Sequence, residues 1–72
     1  MIKFKEDITL GVDDLDKSGN LINPRIIFFK KNEIVEAEVI PMEDCAAYVD
    51  LKFNDGITIG MGISTDCFDI IN

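Results

Sequence analysis

The chain has 72 residues, 47% of them apolar, which is ample for one hydrophobic core but too short for two; a single strand-rich domain over 1–72 is expected, neither disordered nor divided. Fourteen acidic residues against seven basic ones give a formal charge of −7, a field that repels phosphate, so neither direct nucleic-acid contact nor binding to an anionic membrane is expected. A domain this small buries only about 60% of the surface its unfolded chain exposes, and association with a partner or with copies of itself is a common remedy.

Ile2, Phe4, Ile8, Leu10 and Val12 alternate with Lys3, Lys5, Asp7, Thr9 and Asp13, the two-residue period of a half-buried strand. Glu6 interrupts the apolar side, which predicts a bulge, a bend or two short strands. The same opening residues lack the unbroken apolar run of a secretory signal. No stretch approaches the ~20 apolar residues of a membrane span, so a cytoplasmic location is expected.

Residues 13–23 are polar and turn-rich, and Pro24 then opens Arg25-Ile26-Ile27-Phe28-Phe29-Lys30. Four consecutive apolar residues predict a strand covered on both faces, with Ile26 and Phe28 on one and Ile27 and Phe29 on the other. In so small a domain, another chain can supply the second cover. Lys31-Asn32 as a two-residue hairpin loop would set Phe28 opposite Val35 and Ile26 opposite Ala37 in a strand over residues 34–40.

Pro41 at a first helical position, Glu43 and Asp44 in the first turn, and Met42, Cys45, Ala46 and Val49 on one side predict a short helical turn near residues 41–46. Ala47, Val49, Leu51 and Phe53 then alternate with polar or exposed positions, as do Ile57, Ile59, Met61 and Ile63. A three-residue loop, Asn54-Asp55-Gly56, pairs Leu51 with Ile59 and Val49 with Met61, keeping the apolar partners on one face. The tail, residues 66–71, fits either a short strand or a helical turn. The expected class is all-β, a small antiparallel meander or partly open barrel of five to six strands with the helical turn at 41–46; an α+β arrangement is the alternative.

Asp14, Asp16 and Ser18 stand two apart, with Gly19, Asn20 and Leu21 following, and this stretch resembles the first eight positions of an EF-hand calcium loop. The resemblance stops at Ile22: Arg25 stands where the EF-hand has its bidentate glutamate, and both flanks read as strands. Two readings follow. One is a weak, non-helical metal site on Asp14, Asp16, Ser18 and Asn20 completed by Asp66 or Asp69; the other is a polar turn whose side chains bond nearby backbone.

Catalysis is not expected. There is no histidine, Cys45 has no neighbouring base, and Gly60-Met61-Gly62 lies inside a strand rather than in a phosphate-cradling loop. Cys45 and Cys67 are expected to be reduced, and without histidine or a CxxC spacing they make a poor zinc site; no cofactor is implied. What remains is a protein-binding module, of accessory, inhibitor or immunity type, that occupies the surface of a protein partner, for which the acidic field favours a basic one, or of a second copy. Ile27, Phe29, Ile34 and Tyr48 are its candidate interface residues. The alternatives are an acidic nucleic-acid mimic that blocks a basic groove, and a weak calcium or small-ligand domain.

Overall fold

The computed structural model describes residues 1–71, and its strands follow the alternating stretches. β1 (Ile2–Phe4) and β2 (Ile8–Leu15) are separate, broken where Glu6 interrupts the apolar period. The others are β3 (Leu21–Phe29), β4 (Ile34–Val35), β5 (Ala37–Met42), β6 (Cys45–Phe53), β7 (Thr58–Ser64) and β8 (Phe68–Ile70), with a 3-10 turn at Thr65–Cys67 before the last. Strand accounts for 66% of the described residues, which include no α-helix, so the class is all-β. No helix there is long and apolar enough to cross a membrane.

The strands form two antiparallel sheets, β4-β1-β8 and β3-β2-β7-β6-β5, neither closed into a barrel. Eight strands replace the expected five or six because the opening stretch divides into β1 and β2, the stretch from Ile34 to Met42 divides into β4 and β5, and the tail adds β8; the polar stretch after Asp13 is also no long loop. β2 runs on to Leu15 and β3 begins at Leu21, so Asp14 and Ile22, then Leu15 and Leu21, pair across a short tip. The small sheet covers one face of the large one: Ile2, Phe4 and Phe68 meet Leu10, Val12, Phe29, Val49, Leu51 and Ile63 in one core.

Three pairings differ from expectation. The hairpin joining residues 25–30 to 34–40 does not form: β3 returns along β2, with Leu10 opposite Ile27 and Ile8 opposite Phe29, while β4 pairs with β1 through Ile2 and Val35. Two long strands satisfy far more backbone groups together than β3 could with the two-residue β4. Asn32, at φ 71°, turns the chain between the sheets and donates its N–H to the Phe4 carbonyl at 2.8 Å.

The helical turn at 41–46 is likewise replaced, by a tight reversal over Glu43 and Asp44 that sets Met42 opposite Cys45. Strand geometry wins because Val39 and Leu51, opposite each other, both pack on the core, and Pro41 is tolerated on an edge strand.

In the β6–β7 hairpin the loop spans residues 54–57, one longer than expected, and Leu51 therefore lies opposite Gly60 rather than Ile59. Asp55 fixes that length by accepting the N–H groups of Ile57 and Thr58 at 2.9 and 2.8 Å. A bulge between Val49 and Leu51, with Gly62 at φ 66°, then brings Val49 opposite Ile63, both buried, and leaves Met61 exposed.

Candidate protein-interaction face

Register decides what the large sheet shows to solvent. Leu10, Val12, Ile27 and Phe29 pack on the core, so the alternate pairs, Thr9 with Phe28 and Gly11 with Ile26, lie on the other face. There Ile26 is 73% and Phe28 55% exposed. Gly11 adds no side chain beside them: a Cβ placed on it would meet no atom within 4 Å. The result is a shallow recess of about 600 Å³ bordered by Gly11, Asp13, Pro24, Arg25, Ile26 and Met61. Gly60 is the opposite case. It is buried, and a Cβ there would stand 2.6 Å from Leu10 Cδ2 and 3.3 Å from Phe53 Cε2, so its bareness serves the core.

A polar cluster closes one end of the opposite, core-side face, where Arg25 follows Ile27 and Phe29 in alternation and buried Thr58 pairs with Asp14. The Arg25 guanidinium pairs with Asp14 Oδ1 at 2.8 Å and donates to the Thr58 hydroxyl at 3.3 Å. Thr58 Oγ1 lies within reach of Asp14 at 3.4 Å and much closer to Asp55, and its single proton serves Asp55. That hydroxyl, then the backbone N–H groups of Thr58 and Ile57, hold the Asp55 carboxyl below its ordinary value of 3.8, with Arg25 adding to the effect. The guanidinium is thereby spoken for on one side while its side chain stays 43% exposed at the rim of the recess.

The sequence-derived interface residues are not brought together. Phe29 is buried and its ring stacks against Phe4 and Phe53; Ile27 packs partly buried against the same core. Both are therefore corrected to core positions. Ile34 and Tyr48 are half exposed, but Ile34 lies on β4 of the small sheet and Tyr48 near the start of β6, opposite Ser64. The residues that do form a continuous exposed surface, Ile26 and Phe28 beside Gly11 and Met61, include two that the alternation had grouped on one face. The missing information was which face the rest of the chain would cover.

In the tip after β2, Asp16 Oδ1 accepts the N–H groups of Ser18 and Asn20 at 2.8 and 2.9 Å, and Gly19 takes the left-handed φ of 82°. Asp14 is bound by Arg25, the residue at the twelfth loop position, and Asp69 pairs with Lys5 at 3.4 Å while Asp66 lies in the 3-10 turn. No group of three or more His, Cys, Asp or Glu side chains in a metal-holding arrangement occurs among the described residues. Cys45 and Cys67 are free thiols; burial, together with the Glu6 carboxylate that accepts from Sγ, pushes the Cys67 thiol up.

Charge is unevenly spread along the chain. Residues 17–32 carry Lys17, Arg25, Lys30 and Lys31 and none of the fourteen acids, which leaves three bases against fourteen acids elsewhere. A smaller hollow of about 430 Å³ on the β5 side is bordered by Glu36, Glu38 and Lys52 and belongs to the acidic part. Both edges of the large sheet are interrupted: β3 by Pro24 and by Asn23 at φ 56°, where its register with β2 shifts, and β5 by Pro41 and its own shift. Proline and bulges of this kind discourage strand addition at both edges of the large sheet. Compared with protein-family models, curated proteins and solved structures, the chain matches none of them.

Proposed function

We propose that the chain is a small protein-binding module that acts by occupying a partner's surface rather than by catalysis. The observation that carries this reading is the exposed apolar face of β2 and β3, where Ile26 and Met61 border a recess floored by Gly11 and Phe28 is exposed two residues along the same face. A lone exposed leucine or isoleucine needs no explanation, but grouped apolar side chains around a concave, uncharged floor are the usual composition of a docking surface. The sequence offers no histidine, and the raised Cys67 thiol is poorly suited to act as a thiolate nucleophile.

The test is affinity capture from an extract of the source cell at low and high salt, read by mass spectrometry, with wild type beside Ile26→Glu. A protein retained by wild type at high salt and lost with Ile26→Glu supports the reading. Identical capture by both, or none by either, removes it.

A further inference from the structure

Resting on that reading, we propose that the occupant of this face is a second copy of the chain, docked about a two-fold axis so that each copy's Phe28 enters the other's recess over Gly11. The surface is self-complementary in shape. It carries a protruding aromatic ring at Phe28 and a floor without a side chain at Gly11, on neighbouring strands and two pairs apart in the ladder. A two-fold axis pairs each protrusion with the partner's recess, as an isologous interface requires.

Charge selects a second copy over a basic partner. The flanking segment, residues 17–32, holds no acid, and the recess is rimmed by one acid, Asp13, and one base, Arg25. A strongly basic protein would be drawn to the remainder of the chain, where all fourteen acids lie. Two copies at −7 each repel least where acids are few, and at this recess the one acid, Asp13, is matched by one base, Arg25. Asp13 makes no ion pair among the described residues, so across the axis it can face the half-exposed Arg25 of the other copy. A standard interface takes about 800 Å² from each partner, which is roughly a sixth of the chain's 4807 Å² and within the compass of one sheet face. The doubly apolar β3 then has both its faces covered, one by its own core and one by its copy.

Sedimentation velocity of the full chain across micromolar to millimolar concentrations, at two salt concentrations, tests this. Wild type is expected to reach twice 8.1 kDa, and salt should strengthen the dimer by screening the acidic remainder of each copy. Gly11→Leu places a side chain in the recess, its Cβ meeting no atom of the monomer within 4 Å, and should weaken self-association at least about thirtyfold, with an unchanged far-ultraviolet spectrum. Phe28→Glu should do the same from the other half of the contact. A wild type that stays monomeric throughout, or a dimer that both folded variants leave intact, overturns the inference. The partner-binding reading falls separately, by the capture experiment, in which a monomeric chain can still lose a captured protein on Ile26→Glu.

Discussion

Phe29 of the large sheet stacks on Phe4 of the small one, with ring centroids 4.6 Å apart and planes 20° from parallel. This pair, extended by Phe53 at 5.8 Å, ties the two sheets together across the core. Its neighbour in sequence, Phe28, is on the far side of the same strand and 55% exposed.

The two phenylalanines should therefore respond very differently to truncation. Phe29→Ala removes a buried ring and leaves a cavity between the sheets, an expected cost of about 3–5 kcal/mol. For a domain of this size that approaches the whole folding free energy. Phe28→Ala should change stability by no more than about 0.5 kcal/mol at concentrations where the chain is monomeric. Urea midpoints of the two variants compare them directly, and equal shifts would contradict the register of β3.

Gly60 and Gly11 offer a second paired comparison, on opposite faces of adjacent strands. Gly60→Ala places a methyl group 2.6 Å from Leu10 Cδ2, and the overpacking should cost about 1–3 kcal/mol. Gly11→Ala meets nothing and should stabilise the strand by about 0.5–1 kcal/mol by restricting the unfolded chain. Thermal melts of the two variants should move in opposite directions.

Asp55 links stability to acid pH. Its carboxyl is held below 3.8 in the folded chain by the Thr58 hydroxyl and the Thr58 and Ile57 N–H groups. Folding thus favours the ionised form, and the stability it contributes is complete above the unfolded value and lost as pH falls through the folded one. The loop is exposed, so solvent moderates the effect. Asp55→Asn should flatten the part of the pH–stability profile below about pH 4 that this carboxylate controls; a profile unchanged in that range would show that the loop bonds contribute nothing.

Cys67 should alkylate slowly. Burial and the Glu6 carboxylate both favour its protonated thiol, and only the thiolate reacts. Iodoacetamide labelling at mildly alkaline pH, followed by mass, should show Cys67 lagging behind an unstructured cysteine peptide, and Glu6→Gln should shorten the lag. Labelling at the peptide's rate would show that burial and Glu6 do not hold the thiol protonated.

What is local was legible in the order of the residues. Alternation named strand over 2–12 and 47–53, the unbroken apolar run named it at 26–29, and Glu6 marked an interruption that left a bulge, a bend or two short strands open. Asn54-Asp55-Gly56 marked the last reversal, and Arg25 at the twelfth loop position marked the departure from a calcium loop. Each depends on residues close in the chain, where period and turn chemistry act directly.

Tertiary structure decided which strands meet and which faces are covered. β3 could pair forward to residues 34–40 or back to β2, and the pattern of its side chains allowed both. The longer backbone ladder with β2 and the stacking of Phe29 on Phe4 settled it. One extra loop residue, held by Asp55, shifted β7 by one position and turned Gly60 inward, a change that a period of two cannot detect until the partner strand is fixed. The exposed pair Ile26 and Phe28 was grouped by alternation yet could not be told from Ile27 and Phe29, because both pairs are equally apolar and only the position of the small sheet distinguishes inside from outside.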